Sequence, residues 1–474
     1  MIQYKFKTSG KTRKEHDLLG DKEVPAEALF GVQTLRCLEN FDISRNLLCD
    51  HPEFIKAFGM VKMGAVLANH GLGLVDDKIK DAIVAACQEL IDGKHIEHFP
   101  VDMMQGGAGT SMNMNANEVI ANRALEIIGK KHGEYKYIHP NDHVNMAQST
   151  NDAYPTAMHL GLYLMHSSLV SSLKAVSKSL RAKQKAFASI IKMGRTQLQD
   201  AVPMTLGQTF GAFATALENE TAKLEEASKA LLVINMGATA IGTGITSEPG
   251  YAEACTKHIK KITGWKISLA KDLIEATNDT SCMVNYHSQL KQIAIRTSKM
   301  CNDLRLLASG PRTGLAEINL PPKQPGSSIM PGKVNPVIPE VVNQVCFKVI
   351  GNDTAVMMAS EAAQLELNVM EPVLVECVVE SITWLTRAFD TLRIECIDGI
   401  TANKARCRQL TENSIGIVTA LKPHIGYAAC TEVAKEALET GGSVYQLVLD
   451  KKLLSKAQLD RILDPKNMVK PVKF

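Results

Sequence analysis

The sequence predicts a mainly α-helical protein whose central part is a bundle of long helices. Aromatic residues make up only 5% of the 474 residues, and the frequent Ala, Leu, Met, Glu and Lys favour helices over strands. Apolar residues recur at steps of three and four from residue 160 to about 191, which is typical of an amphipathic helix. Small residues between 206 and 232 would let a second helix approach closely, as bundle interiors require.

A third long helical segment is predicted from Pro339 to about Leu385. Pro339 suits a first helical turn, and we expect Pro372 to kink the segment. Helices of this length have several apolar faces, which are usually buried against other subunits. The pattern therefore predicts an oligomer.

The chain is too long for one hydrophobic core, and we divide it into three domains. Residues 1–145 contain shorter elements separated by turn signals and form the predicted N-terminal domain. Residues 146–399 form the central helical-bundle domain, and residues 400–474 form a small helical C-terminal domain. No internal repeat or low-complexity linker is visible in the sequence.

Composition and charge exclude several classes of protein. There are 53 Lys and Arg residues against 50 Asp and Glu, for a net charge of +3. So small an excess argues against nucleic acid or an anionic membrane surface as the main partner. The 11 cysteines are scattered without a CxxC pair, which indicates reduced, mostly buried thiols. The basic N-terminus lacks the apolar run of a signal peptide, and no membrane-spanning run follows, so we expect a cytoplasmic protein.

The segment GSSIMPGKVNP, residues 326–336, is the richest in chemistry. It places two hydroxyls, one ammonium and one amide in a loop that Gly326 and Gly332 loosen and two prolines stiffen. Such a loop could close over a ligand, with the hydroxyls and Lys333 supplying a base and a cationic clamp for a carboxylate. Taken alone, GSS would more often be an exposed turn before a helix.

The same segment resembles the signature loop of the aspartase/fumarase superfamily, whose members form or cleave fumarate by adding or removing a group across a double bond. The resemblance extends along the chain. Further matching segments are LLGDKEVPAEALFGVQTLR (18–36), GGAGTSMNMNANEVIANRA (106–124), HPNDHVNMAQSTNDAYPT (139–156), GRTQLQDAVPMTLGQ (194–208) and GATAIGTGI (237–245).

Within the superfamily the sequence is more similar to aspartases than to class II fumarases. Gln197 stands where fumarases and some aspartases carry a His. The runs 337–354 and 414–427 also resemble aspartases, as does EVPAEALFGVQT (23–34), where fumarases usually have a Trp before the Gly. The resemblance implies reversible elimination of ammonia from L-aspartate, giving fumarate. It also implies a three-domain fold in which the long helices form the core of a homotetramer with shared active sites. No cofactor is expected to be required, and activation by divalent cations stays open, as do a fumarase activity and a catalytically inactive structural role.

The resemblance also implies roles for individual residues. Removal of the β-proton builds negative charge on the β-carboxylate, so donors around that group are the main catalytic requirement. Ser327 corresponds to the general base, which acts as an alkoxide once the loop closes. The residues that correspond to binders of the β-carboxylate are Thr110, Ser149, Thr150 and Ser328. The residues that correspond to binders of the α-carboxylate or the amine are Lys333, Asn335, Thr196 and Asn151. Gln197 is at the position of the His that contacts substrate in relatives. Arg36 is a weaker candidate for carboxylate binding.

Several of these residues have simpler interpretations. The QSTND run could be only a polar helix cap, since Ser, Thr, Asn and Asp are favoured there. Glu340 matches the Glu that pairs with the fumarase His, but with Gln197 we expect it only to favour a helix N-terminus. His139, Asn141 and Asp142 match a second carboxylate-binding region of fumarases, and we interpret them as a turn and helix start. No metal or nucleotide motif is convincing.

Overall fold

The computed structural model describes residues 5–469 and confirms the mainly helical prediction. In chain order the first eight helices are α1 (Val32–Asn40), α2 (Pro52–Gly71), α3 (Asp77–Ile91), α4 (Thr110–Ile127), α5 (Thr150–Ala186), α6 (Leu206–Ala227), α7 (Tyr251–Thr263) and α8 (Glu275–Asn278). The remaining helices are α9 (Ser281–Leu307), α10 (Val337–Glu361), α11 (Glu371–Glu395), α12 (Lys404–Glu412), α13 (Val418–Thr440), α14 (Val444–Asp450), α15 (Lys456–Ile462) and α16 (Pro465–Met468).

The strands are short and form four separate pairs. Three of the pairs are antiparallel and the β5–β6 pair is parallel. The pairs are β1 (Thr12–Asp17) with β2 (Gly20–Pro25), β3 (Ile191–Thr196) with β4 (Gln199–Thr205), β5 (Val233–Ile234) with β6 (Ser268–Leu269), and β7 (Ile318–Asn319) with β8 (Thr401–Ala402). Within residues 5–469 no sheet exceeds two strands, so helices supply the framework.

The chain divides into two compact units. Unit 1 comprises Met1–Val170, Ala222–Gln292 and Phe347–Leu385, and unit 2 comprises Ser171–Thr221, Ile293–Cys346 and Thr386–Phe474. The boundaries fall inside the long helices α5, α6, α9, α10 and α11, so each of these helices contributes residues to both units. The three-domain division at residues 145 and 399 stays a prediction.

Unit 1 has its core around helix α2, which packs on α3 and α7, while α3 packs on α4. The α2 side chains Phe54, Ile55, Phe58 and Val61 are fully buried. Because α2 has apolar residues on all sides, it is a central helix of the unit and not a surface helix. One of its fully buried residues is the basic residue Lys62.

Unit 2 contains a separate cluster of buried apolar side chains in its C-terminal part. Met193 of β3 belongs to this cluster, and α12 packs on β3. The other buried members are Ile417, Leu421, Cys430, Val433, Ala437, Val444, Val448 and Leu459. This packing fixes the base of the β3–β4 hairpin, whose turn carries two of the predicted site residues.

The long helices agree with the sequence patterns except around Pro372. The apolar repeat from residue 160 lies in α5, which has 37 residues, and the segment rich in small residues lies in α6. The predicted kink is wrong in position, because the helix already ends at Glu361 and a new helix begins at Glu371. Pro372 is therefore the second residue of α11, where a missing N–H breaks no helical hydrogen bond.

All eleven cysteines are free thiols, and nine of them are buried, as predicted. Burial raises the pKa of most of these thiols; the pKa of Cys346, for example, rises to about 12. Among the described helices, none is both long and apolar enough to cross a membrane.

Candidate active site

The predicted site residues fall in both compact units. Arg36, Thr110 and the segment 149–151 belong to unit 1, whereas Thr196, Gln197 and the loop 326–335 belong to unit 2. Each group is described separately below, from the local backbone upward.

Thr110 is the first residue of α4 and follows a glycine-rich turn. Gly107, Ala108 and Gly109 all have positive φ angles (91°, 54° and 84°), so three successive residues adopt a left-handed conformation. A side chain at Gly109 would place its Cβ 2.5 Å from the ring of Tyr154, so only glycine fits. The turn presents the exposed Thr110 at a helix N-terminus, where free N–H groups favour an anion.

Ser149 precedes α5 and makes the reciprocal contacts of a helix N-terminal cap. Its Oγ accepts a hydrogen bond from the N–H of Asn151 (3.2 Å), and its own N–H donates to Asp152 Oδ1 (2.9 Å). The interpretation of QSTND as a helix cap is therefore correct. The cap holds Ser149 rigidly, yet its hydroxyl hydrogen remains available to donate to a substrate oxygen.

The two residues after Ser149 are also held by unit 1. Thr150 Oγ1 accepts from Asn113 Nδ2 (3.2 Å), and Asn151 Nδ2 donates to the carbonyl oxygen of Ala240 (2.8 Å). The carbonyl of Asn151 in turn accepts from Asn235 Nδ2 (3.0 Å). One Asn151 N–H thus remains for a ligand, and the backbone of the segment is fixed on both sides.

Lys62 lies beneath this segment, and its role was missed in the sequence. The side chain is fully buried, and its Nζ donates to Asn113 Oδ1 (2.7 Å), Asn145 Oδ1 (2.9 Å) and Gln148 Oε1 (2.8 Å). Burial lowers its pKa to about 7, while the nearby Asp152 carboxylate opposes the shift. A buried ammonium with three oxygen acceptors ties α2 to the turn that carries Ser149.

Asp152 complements Lys62 from the opposite direction. Its Oδ2 accepts from the backbone N–H groups of Gly237 (3.1 Å) and Thr239 (3.0 Å). Burial raises its pKa to about 6, although the three backbone donors favour the carboxylate. The GATAIGTGI segment is therefore fastened to the Ser149 turn, which explains its presence beside the predicted site without any phosphate chemistry.

Arg36 is occupied by an intramolecular ion pair. Its guanidinium donates in bidentate fashion to Asp17, with Nε and NH2 each 2.7 Å from a carboxylate oxygen. NH2 also donates to the carbonyl of Gly20, at the end of the β1–β2 turn. The Arg36 guanidinium holds the pKa of Asp17 below its usual value. In this arrangement Arg36 braces the hairpin, and a substrate carboxylate would have to compete with Asp17 for it.

The β3–β4 turn follows Thr196 and holds Gln197 and Leu198 in a strained conformation. Thr196 pairs with Gln199, and the two residues between them, Gln197 and Leu198, have φ angles of 55° and 61°. A two-residue turn with both φ angles positive normally contains Asn or Gly, because other side chains pay a steric cost. Leu198 is also 70% exposed. Strain that persists at an exposed turn is a recurrent feature of functional sites.

Glu317 anchors this hairpin and was likewise missed in the sequence. Its fully buried carboxylate accepts from Arg195 NH1 (2.7 Å) and forms an ion pair with Lys192 Nζ (3.1 Å). Arg195 directly precedes Thr196. Removal of the carboxylate would leave two cations without their partner, so Glu317 fixes the position of the turn.

The hydroxyl oxygen of Ser327 accepts hydrogen bonds from two backbone N–H groups. The N–H groups of Ile329 and Met330 each donate to Ser327 Oγ at 3.1 Å. The residue is half-buried, while Ile329 is 82% exposed. Two N–H donors would stabilise negative charge on this oxygen.

The rest of the loop is open and supported at its ends. Gly326 N–H donates to the carbonyl of Lys333 (2.7 Å), and Asn335 Nδ2 donates to the carbonyl of Gly326 (3.0 Å). Ser328 and Lys333 are exposed. These two hydrogen bonds therefore hold the ends of the loop together, while the Ser328 hydroxyl and the Lys333 ammonium are exposed to solvent.

Two further predictions are confirmed locally. Glu340 lies in the first turn of α10, where a carboxylate is favourable. His139 Nδ1 accepts from the N–H groups of Asn141 (3.0 Å) and Asp142 (3.3 Å), at the start of a short helical turn over Pro140–Val144. These contacts are those of a turn and helix start.

Comparison with known protein families decides the family. The model described as "Lyase" matches residues 20–351, and the model described as "Fumarase C C-terminus" matches residues 417–470. The chain belongs to this lyase family. The resemblance of its signature segments to the aspartase/fumarase superfamily is thereby confirmed.

Relatives within the lyase family match nearly the whole chain. Aspartate ammonia-lyase from Helicobacter pylori is 55% identical over 98% of this chain and 99% of its own length. Aspartate ammonia-lyase from Pseudomonas aeruginosa is 56% identical over 97% of both chains, and the enzyme of that name from Escherichia coli K12 is 53% identical over 98% of this chain and 97% of its own.

Solved structures of lyases share the fold. A fumarate lyase:delta crystallin from Brucella melitensis superposes with a TM-score of 0.95 at 51% identity, covering 97% of this chain and 100% of that one. A class II fumarase from Schistosoma mansoni superposes with a TM-score of 0.90 at 32% identity, covering 96% and 99%. The predicted fold of long helices is thus confirmed as that of the lyase family.

Proposed function

We propose that this protein is an aspartate ammonia-lyase, which converts L-aspartate reversibly to fumarate and ammonia. Relatives of that name are 53–56% identical to it along nearly their whole length. The structural observation that carries the chemistry is the pair of backbone donors at Ser327 Oγ. A serine is a very weak acid in water, and such donors lower the cost of the alkoxide that would accept the β-proton.

In the proposed reaction, Ser327 removes the β-proton and negative charge accumulates on the β-carboxylate. Thr110, Ser149, Thr150 and Ser328 are proposed to donate to that carboxylate. Their hydroxyls donate without a full countercharge. Thr110 Oγ1 donates to the carbonyl of Gly107 (2.7 Å) and would exchange that bond for the substrate carboxylate, whereas the helix cap fixes Ser149 before substrate arrives. Prepositioned donors lower the barrier because they need no reorganisation during the reaction.

The α-carboxylate is proposed to bind Lys333 and Asn335, with Thr196 and Asn151 near the amine. Lys333 is exposed and acts as a point charge. Gln197 is proposed to contact substrate as a neutral group, so the departing amine takes its proton from solvent or from another group. Arg36 is proposed only as an indirect contributor, because Asp17 already occupies its guanidinium.

A complete pocket is proposed to form in a homotetramer with shared active sites. Several exposed apolar side chains on the long helices support assembly, among them Val341, Phe347, Met357, Met358 and Trp384. Dissociation of the oligomer should therefore abolish activity. We further propose a cytoplasmic location and a reaction without a required cofactor, with activation by a divalent cation to be tested by adding Mg²⁺ after chelation.

The first experiment measures fumarate by ultraviolet absorbance with L-aspartate and L-malate in parallel. Wild-type protein should form fumarate from aspartate only. Ser327→Ala should lower kcat by about 10²–10⁴-fold, the usual contribution of a general base. Ser328→Ala is the comparison, since it removes a neighbouring hydroxyl that is proposed to donate to the β-carboxylate; it should lower kcat less than Ser327→Ala does, because Thr110, Ser149 and Thr150 still donate to that carboxylate.

The alternatives give different outcomes. Fumarate from malate only would identify a class II fumarase, an activity favoured by the similarity to the Schistosoma enzyme. Full activity of Ser327→Ala would refute the serine base while leaving the substrate assignment intact. Binding of fumarate without turnover of either substrate would identify a catalytically inactive structural relative.

A further inference from the structure

A cavity of about 480 Å³ lies in unit 1, and none of the residues assigned to the reaction lines it. Its volume is within the range of small-molecule sites, about 300–1,000 Å³. Apolar side chains form much of its wall, including the buried Met158, Ile234 and Met283. Polar side chains line the rest of it, and the buried ones are Asn235, Thr280 and Glu371. Glu371, which is 4% exposed, is the ionisable one of these three.

Glu371 is a buried carboxyl group without a counterion. It is the first residue of α11, and its Oε2 has no hydrogen-bond partner in the described part of the chain. No described Lys, Arg or His forms an ion pair with it. Burial alone raises its pKa to about 8, because no neighbouring cation or donor stabilises the charged form. A buried acid of this kind is costly unless a partner arrives.

The mouth of the cavity carries further negative charge. Asp272, Glu275 and Asp279 line the opening and are exposed, whereas Lys271 is the single cationic residue among the lining groups. Three acids against one lysine create a local potential that attracts cations and repels anions. The three exposed acids and the buried Glu371 therefore all favour a positively charged ligand.

We propose that this cavity binds a primary alkylammonium ion, with the ammonium group on Glu371 and the aliphatic part against Met158, Ile234 and Met283. The ammonium would supply the missing hydrogen bond to Oε2, and the apolar wall would bury the chain. The cavity is also one hydrogen bond from the predicted active site, because its lining residue Asn235 donates to the carbonyl of Asn151.

The pH dependence of binding follows from the groups that face Glu371. Those groups are Tyr154 and His159 of α5, Lys271 and Asp272 before α8, Glu275 of α8, Asp279 directly after α8 and Cys282 of α9. Tyr154 also interacts with Glu376 of α11. Burial lowers the pKa of His159 and raises that of Cys282 to about 12, so neither changes charge between pH 6.5 and 9. Alkylammonium ions stay protonated to about pH 10. Affinity should therefore rise with pH as Glu371 ionises.

The test is isothermal titration calorimetry of the full-length protein with n-butylammonium chloride at constant ionic strength. Binding should be about tenfold or more tighter at pH 9 than at pH 6.5. Butan-1-ol tests the apolar wall without the charge, and sodium butyrate tests the sign of the charge. Both should bind at least about tenfold more weakly than n-butylammonium at pH 9.

Glu371→Gln keeps the shape of the side chain and removes its charge, so it should lose about tenfold or more of the affinity at pH 9 and the pH dependence with it. Glu275→Gln is the matched control at the exposed mouth and should change affinity by less than about threefold. Equal binding by wild type and Glu371→Gln, equal binding of butan-1-ol, or no binding to wild type at pH 9 would each overturn the proposal. The wild-type pH series keeps the test valid if the variant folds poorly. All readouts are of binding, so failure of the proposed lyase activity would leave the result unaffected.

Discussion

The segment 148–152 of unit 1 and the loop 326–335 of unit 2 carry predicted catalytic residues in opposite structural settings. The first segment rests on buried charges, with Lys62 below Gln148 and with Asp152 bonded to the turn at Gly237. The second presents exposed side chains on a loop closed by the bonds between Gly326, Lys333 and Asn335.

This difference indicates a division of labour. Donors that must stabilise developing charge gain from being fixed beforehand, as Ser149 is. A base that must approach the substrate and then release product gains from a loop that can move, and such closures accompany many enzymatic reactions. We call residues 148–152 the held segment and residues 326–335 the open loop. Substitutions that disturb the held segment should lower both the free energy of unfolding and the enzymatic activity, whereas substitutions in the open loop should lower mainly the activity.

The largest effect is expected for Lys62→Met, which tests the held segment. The change removes the ammonium donor from oxygens of Asn113, Asn145 and Gln148, and only the Asn145 oxygen keeps other donors, the amides of Asn113 and Asn117. We expect the free energy of unfolding to fall by about 2–4 kcal/mol and kcat to fall as the Ser149 turn shifts. Urea unfolding measures the free energy of unfolding, and steady-state kinetics measure kcat.

Lys56→Met on the same helix is the control, because Lys56 is half-buried and its substitution should change the free energy of unfolding by less than about 1 kcal/mol. Unchanged stability of the Lys62 variant would contradict the description of this segment as held.

A smaller effect on stability, with a clear effect on activity, is expected for Gly326→Ala in the open loop. Its Cβ would lie 2.8 Å from the carbonyl oxygen of Lys333, so the hydrogen-bonded ends of the loop must shift. Because the loop is exposed, the free energy of unfolding should change by less than about 1 kcal/mol while kcat/KM falls about tenfold or more. Gly71→Ala, where an added Cβ meets nothing, is the control and should leave kinetics unchanged. Equal losses of stability in Gly326→Ala and Lys62→Met would remove the distinction between the two regions.

The smallest effect is expected at the strained β3–β4 turn. Leu198→Gly relieves a φ of 61° at an exposed residue. The free energy of unfolding should rise by up to about 1 kcal/mol, because glycine adopts the left-handed conformation without steric cost. Thermal unfolding measures the change, and Gln199→Gly on the adjacent strand is the comparison that should instead lower stability. A loss of stability in Leu198→Gly would show that the turn is not strained.

Much of the fold could be predicted because it depends on local pattern. Apolar repeats at steps of three and four located α5, and small residues located α6. The break between α10 and α11 was misplaced at Pro372, since a proline can either kink a helix or begin one. Local pattern alone does not decide between the two.

Local sequence pattern also predicted only part of the candidate active site. Both roles of Ser149 could be predicted from consecutive residues of the QSTND run; the cap is confirmed, and the substrate contact stays a prediction. Lys62 and Glu317 were missed, since each acquires its role only from partners more than 50 residues away, namely Asn113 for Lys62 and Arg195 for Glu317. An isolated lysine or glutamate in a sequence is most often a solvated surface residue.

The sequence by itself determined the family and the helical class and located the loop that we predict to react, because motifs and periodicity are present in consecutive residues. Only the tertiary structure decided that Arg36 is held by Asp17, that Lys62 and Asp152 lie buried under the Ser149 turn, and that Glu371 has no counterion. The physical reason is that the cost of a buried charge depends on which groups surround it, and packing brings those groups together from distant parts of the chain.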